Sequence, residues 1–257
     1  MSLRRFFYGF LVAAIAILCW TFNANAQITT KVLDYEIAGE PFEGYVARNE
    51  GFGDEQPIVM LIHDWNGLGT YEQKRAEMLA TQGYTVFAAD LYGKELRPTN
   101  VEESRAASGK LYGDRPLMQE RLFAGLEVAK ELEGVDPEKV AVMGYCFGGS
   151  AILELARTGA DLDGFISFHG GLVLPEGQDY SKTTGEVLVL HGTADPVSGM
   201  DEVTALAKDL TEANVSYSME LYGNVLHSFT PWGSKDYNAK ADTQSWDELL
   251  TFLDRIF

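Results

Sequence analysis

The run Val140-Ala141-Val142-Met143-Gly144-Tyr145-Cys146-Phe147-Gly148-Gly149 constrains this chain more than any other segment. An apolar, β-type stretch ends in G-x-C-x-G and opens into a helical stretch, Ser150 to Arg157. That is the strand, sharp turn and helix of a nucleophile elbow, with cysteine where serine usually sits. Small residues are needed on either side of the turn, because it is strained and backbone crosses backbone closely there. The turn lifts one side chain above the sheet. It also directs the following backbone N–H groups, and the positive end of a helix, at that side chain.

The remainder of the chain supplies the sheet that such a turn requires. Val32 to Tyr35 and Phe42 to Ala47 read as an opening pair of strands around Ala38-Gly39-Glu40-Pro41. Ile58 to Ile62, Thr85 to Ala89, Phe165 to Phe168, Val187 to Leu190 and Ser216 to Tyr222 read as further strands. Helices are expected over Thr70 to Gln82, with Thr70 as N-cap and Gly83 as stop, over Val203 to Ala213, and over Thr243 to Phe257. The region Arg97 to Leu132 is polar and partly helical, and Asp136-Pro137-Glu138-Lys139 reads as a turn leading into the elbow strand. Alternating strands and helices imply βαβ crossovers, hence an α/β fold with a mostly parallel central sheet and helices on both faces. In such sheets the reactive groups gather at the carboxyl ends of the strands.

Two of those ends carry what the thiol needs. Leu190 is followed by His191-Gly192-Thr193-Ala194-Asp195-Pro196-Val197, and Tyr222 by Gly223-Asn224-Val225-Leu226-His227-Ser228-Phe229. The order Cys146, Asp195, His227 is that of the α/β-hydrolase triad. A free thiol has a pKa of about 8.5, so an imidazole must take its proton and later return it to the leaving group. A carboxylate on the other ring nitrogen fixes the tautomer and stabilises the imidazolium. The backbone N–H of Phe147 is one natural oxyanion donor, and the loop His63-Asp64-Trp65-Asn66-Gly67 offers the N–H of Trp65 as the second. Each is worth roughly 3 kcal/mol in the transition state. His191 reads as a structural support of the acid loop, and His169 as structural or lining the pocket. His63 is left open between shaping the oxyanion loop and packing.

The first 26 residues read as a cleaved secretory signal. Arg4 and Arg5 precede an apolar run, Phe6 to Trp20, and Ala24-Asn25-Ala26 forms an A-x-A cleavage site before Gln27. The apolar run is short for a spanning helix, which needs about 20 residues. Residues 27–257 then form a single domain, large enough for a sizeable core. The formal net charge of the whole chain is -18 and, without the two arginines, -20. That balance disfavours nucleic acid and anionic membrane surfaces as partners. The mature chain keeps one cysteine, Cys146, so it forms no internal disulfide. A periplasmic or secreted protein is expected, as a monomer or small homo-oligomer.

Taken together, Gly144 to Gly149, Leu190 to Val197, His227-Ser228-Phe229 and Ala89-Asp90-Leu91-Tyr92-Gly93 resemble the dienelactone hydrolase family over about residues 30–257. The resemblance implies the α/β-hydrolase fold, no metal or organic cofactor, and hydrolysis of a small-molecule ester or lactone through a thioester. It also implies that Asp64 stands where members of the dienelactone type carry a glutamate that controls the thiol's protonation. Those members bind a substrate carboxylate through arginines. Here Thr230-Pro231 occupies the place of one, and Arg105 is the candidate for another. Tyr112 and Trp232, with Trp65 and Phe147, are candidates for an aromatic pocket. The missing arginine leaves a second reading open: an exported binding or sensing module that kept the fold and lost turnover. If the signal is read correctly, expression with the native N-terminus in an exporting host yields a chain beginning at Gln27, which intact mass reports directly.

Overall fold

A computed structural model of the protein describes residues 28–257; the signal and its cleavage site lie outside the described residues. Eight strands form one sheet in the order β1-β2-β4-β3-β5-β6-β7-β8. The hairpin β1 (Ile28–Ile37) and β2 (Glu40–Asn49) is antiparallel, as is the pairing of β2 with β4 (Thr85–Ala89). From β4 onwards the sheet is parallel, through β3 (Gln56–Ile62), β5 (Val135–Tyr145), β6 (Gly164–Phe168), β7 (Glu186–Gly192) and β8 (Tyr217–Tyr222). This is the expected α/β-hydrolase architecture.

Alternate strand residues enter two cores, because successive side chains of a strand point to opposite faces. Ile58, Met60 and Ile62 pack with α3 (Arg115–Lys130) and α4 (Phe147–Thr158), while Val59 and Leu61 pack with α1 (Thr70–Ala80) and α6 (Ala239–Ile256). All five strand residues are fully buried. Burying each such side chain contributes about 1.5–3 kcal/mol. Two further helices, α2 (Val101–Gly113) and α5 (Met200–Glu212), complete the layers.

Several expected boundaries move. Gly69, not Thr70, is the N-cap of α1, and Glu72 serves the helix start by accepting the Gly69 N–H at 2.9 Å. The expected turn at 136–139 is an irregularity within β5. Pro57 pairs with Asp136 and Ile58 with Val140, so Pro137, Glu138 and Lys139 loop out. The region 97–132 resolves into α2 and α3, split at Asp114, whose side chain caps the second helix.

One buried ion pair ties helices α1 and α6 to the chain after β8. The Arg75 guanidinium bonds the Asp242 carboxylate and also donates to the Thr230 carbonyl at 3.3 Å. Both side chains are buried, so the charge of each stands in place of water for the other. Arg75→Met leaves Asp242 unpaired and is expected to lower unfolding stability by about 3–5 kcal/mol. The double change Arg75→Met/Asp242→Leu is expected to recover most of that loss in urea titrations.

Candidate active site

Cys146 leaves the tip of β5 with φ 52° and ψ -108°. Its N–H donates to the Phe168 carbonyl at 3.0 Å, and its own carbonyl accepts the Ser150 N–H at 3.1 Å. The two flanking glycines are required by contact. A Cβ on Gly144 would lie 2.3 Å from the Gly148 carbonyl carbon, and a Cβ on Gly148 only 2.4 Å from the Ile62 oxygen. The first turn of α4 therefore rests against the end of β3, and that brings the oxyanion loop beside the thiol.

The triad is assembled. His227 Nε2 lies 3.1 Å from Cys146 Sγ, and His227 Nδ1 lies 2.7 Å from Asp195 Oδ2. With Nδ1–H donated to the carboxylate, Nε2 is the lone pair facing the thiol. The other oxygen of Asp195 accepts the N–H groups of Val197 at 2.7 Å and Ser198 at 3.1 Å. Burial works to raise the Asp195 pKa, but these bonds and the His227 ring outweigh it and hold the group below the ordinary carboxylate range. His191 supports the same loop. Its Nε2–H donates to the Ser198 carbonyl at 2.8 Å and lies 3.5 Å from Asp195 Oδ2. Burial keeps His191 neutral by lowering its pKa.

The two expected oxyanion donors, the N–H groups of Phe147 and Trp65, adjoin the Cys146 thiol and favour its charged form. That of Trp65 is shared, because it also donates to Asp64 Oδ1. Asp64 is buried beside the thiol. Burial pushes the Cys146 thiol well above its usual pKa, and the Asp64 carboxylate pushes it further in the same direction. Burial raises Asp64 in turn. Cys146 is thus held as a neutral thiol between an imidazole and a carboxylate.

The loop that carries Trp65 is fastened from below. Leu91 N–H donates to His63 Nε2 at 3.1 Å, and His63 Nδ1 meets the Asp64 carbonyl at 2.6 Å, so His63 shapes the loop as a neutral ring. Tyr92 donates its hydroxyl to the Trp65 carbonyl at 2.9 Å. The carboxylate of Asp90 accepts the N–H groups of Tyr92 and Gly93, which gives Ala89-Asp90-Leu91-Tyr92-Gly93 a physical role: it builds the support for the oxyanion loop. On the other side His169 packs edge-on to His227, with ring centroids 5.3 Å apart, and its Nε2 meets Thr230 Oγ1 at 2.8 Å. It braces the catalytic ring from behind and does not line the cavity described next.

A cavity of about 410 Å³ opens over the thiol, lined by Trp65, Arg105, Tyr112, Phe147, Val197 and Ser228 among others. Tyr112 donates to Ser150 Oγ at 3.1 Å and packs edge-on to Phe147. Burial raises its phenol to about 12, so it stays a neutral wall. Trp65, Tyr112, Phe147 and Arg105 therefore stand where the sequence places them. Trp232 does not. Its ring covers the Arg75 guanidinium at 4.3 Å and lines a separate hollow with Tyr71 and Pro231. The chain turns away at Pro231, and a buried cation offers the indole a better partner than the pocket does. Sequence reasoning missed Glu72, whose carboxylate accepts the Asp64 N–H at 3.3 Å; burial lifts it to about 7. Nothing local marks that residue, since it sits in the first turn of a helix, where an acidic side chain is ordinary. Among the described residues no group of three or more His, Cys, Asp or Glu side chains could hold a metal ion.

Comparison with known proteins identifies the family of the chain. Residues 42–257 match the Dienelactone hydrolase family. A protein of Aquifex aeolicus (strain VF5) named "Putative carboxymethylenebutenolidase" is 26% identical over 230 residues, covering 86% of this chain and 96% of that one. The crystal structure of a dienelactone hydrolase-like promiscuous phosphotriesterase from metagenomic libraries superposes with a TM-score of 0.85 at 31% identity. It covers 90% of this chain and 99% of the other. The structure of a protein titled m3DLH superposes with a TM-score of 0.83, also at 31% identity, over 90% and 99%.

Because Asp64 raises the thiol pKa both by charge and by hydrogen bond, removing its charge must lower it. Asp64→Asn is expected to move the pH midpoint of Cys146 alkylation by iodoacetamide downward, with the thiolate appearing at lower pH than in the parent enzyme. An upward or absent shift would show that the carboxylate does not govern the thiol.

Proposed function

The chain belongs to the dienelactone hydrolase family and is a hydrolase of ester or lactone bonds, and we propose that it works through Cys146, His227 and Asp195 with a thioester intermediate. The observation that carries this reading is the continuous contact from Sγ to Nε2 and from Nδ1 to the carboxylate. When the substrate carbonyl enters, the thiol proton passes to His227 Nε2 and Sγ forms a bond to the carbonyl carbon. The carbonyl oxygen becomes an oxyanion held by the N–H groups of Phe147 and Trp65. As the tetrahedral species collapses, the C–O bond to the leaving group breaks and His227 returns the proton to that oxygen. Water then attacks the thioester by the same route, with His227 as base, and releases the acid and the thiol. Asp195 steadies the imidazolium at both stages.

Asp64 fits the controlling role that the resemblance implies. It occupies the Trp65 N–H and the thiol at once, so a carbonyl oxygen seeking that N–H competes with the carboxylate. Displacing Asp64 removes the charge that holds the thiol neutral, and the nucleophile is activated only when a substrate is present. The contact of Cys146, His227 and Asp195 favours this reading over a non-catalytic binding module. Small-molecule ester or lactone hydrolysis outside the cytoplasm, with no nucleic acid or membrane partner, is part of the same proposal; among the described residues no helix is long and apolar enough to cross a membrane.

Cys146→Ala is expected to abolish hydrolysis of a short aryl ester, a loss of at least about 10³-fold, while circular dichroism and melting remain those of the parent. Quenched reaction of the parent is expected to show the acyl mass on the peptide bearing Cys146. Undiminished turnover in Cys146→Ala would remove the assigned nucleophile.

A further inference from the structure

A second cavity of about 450 Å³ lies beside the catalytic one and shares two of its walls, Trp65 and Ser228. Its floor is Asp64 and Glu72, both buried, and Asp64 is the carboxylate that accepts the Trp65 N–H beside the thiol. Its sides carry Asn66, Thr99, Asn100 and Ser104, and Ser234 stands on the histidine side. None of its lining residues is a lysine or arginine. Arg105 lines the aromatic cavity and not this one. Arg75, behind the Tyr71 wall, is already neutralised by Asp242. The two compartments thus differ in chemistry: one is almost wholly aromatic and apolar, while the other adds hydroxyls, amides and two acidic groups to an apolar wall of Trp65, Tyr71, Pro98, Val101 and Pro231.

We infer that this second cavity receives one arm of the substrate of the proposed reaction, that it takes an arm bearing a hydroxyl or an ammonium group, and that it rejects a carboxylate. The inference rests on the proposed hydrolysis at Cys146 and extends it. An ester whose carbonyl sits on Sγ has two arms to place. An aryl arm fills the cavity walled by Trp65, Tyr112 and Phe147 by stacking and apolar burial. The other arm passes Trp65 and Ser228 into the polar compartment. There hydroxyl groups meet acceptors and donors at Thr99, Asn100 and Ser104. An ammonium meets the negative field of the floor, and a carboxylate meets the same field with no cation to offset it. The acidic floor also links binding to activation. An arm that draws on Asp64 loosens its hold on the thiol and on the Trp65 N–H.

The test uses the full-length mature enzyme and four para-nitrophenyl hexanoates: plain, ω-hydroxy, ω-trimethylammonio and ω-carboxy. The parent is expected to favour the hydroxy and ammonio esters over the carboxy ester in kcat/KM by about tenfold or more, a difference of about 1.4 kcal/mol. Val101 is an exposed residue on the wall of the second cavity, and Val101→Trp fills that space. This variant has the same net charge as the parent and is expected to cut the preference to about twofold or less. Pro231→Arg places a cation on the same wall and is expected to raise turnover of the carboxy ester selectively. A parent that treats the three ω-substituted esters alike, or prefers the carboxylate, overturns the inference. So does a preference that survives Val101→Trp, because it would then come from the negative field of the whole chain. Failure of the plain ester to acylate Cys146 would overturn the proposed reaction and this inference with it. Acylation by the plain ester without arm selectivity overturns the subsite alone.

Discussion

The site depends on one close approach: the first turn of α4 lies against the end of β3. No side-chain atom fits between Gly148 and the Ile62 carbonyl. That contact fixes where α4 begins. It forces Cys146 into a backbone conformation that costs of order 1–3 kcal/mol for a non-glycine residue. The surrounding structure holds the strain, since Cys146 is bonded through its N–H to β6 and through its carbonyl to α4. It also brings the loop after β3, which carries Trp65, beside the turn at Cys146. The supporting bonds from His63 and Tyr92 then have a fixed frame to act on.

A second consequence concerns the thiol in its resting state. A thiolate is the form that reacts with oxidants, and a protonated, buried thiol is comparatively inert. Burial and the neighbouring Asp64 both favour the protonated form here. A thiol held in its neutral form is protected from oxidants until a reaction partner enters. A serine in the same place would need no such protection. The Asp64 carboxylate therefore belongs with the choice of sulfur, and it also accepts the Trp65 N–H.

The meeting of Cys146, Asp195 and His227 was legible in the sequence because each follows a buried apolar run by a short loop, and parallel sheets bring such loops to one edge. The same logic located the oxyanion loop and Phe147. What stayed hidden depends on contacts between distant segments. Trp232 lies five residues after His227, and nothing in its neighbourhood announces that Arg75, on α1, draws it away from the pocket. Glu72 is on the same helix, and only the packing of α1 against the β3 loop shows that its carboxylate sits beneath the site. The looped-out residues of β5 read as a turn because Asp-Pro is a turn signal. The strand resumes pairing after them, so the signal was real and only its length was misjudged.

Helix α2 gives the clearest view of how substrate choice is separated from chemistry in this fold. Its first residue, Val101, and Ser104 face the polar cavity, while Arg105, Ser108 and Tyr112 face the aromatic one. One helix thus supplies part of the wall of both compartments, and it carries none of the triad. Its start is set by Asn100, whose side chain accepts the Glu103 N–H, and its end by Asp114, which opens α3. A change on α2 can alter either compartment while the elbow, the acid loop and the histidine loop keep their bonds. That division follows from the sheet: the reacting groups sit on strand ends locked by buried packing. The walls stand on an outer helix, where residues vary without disturbing the core.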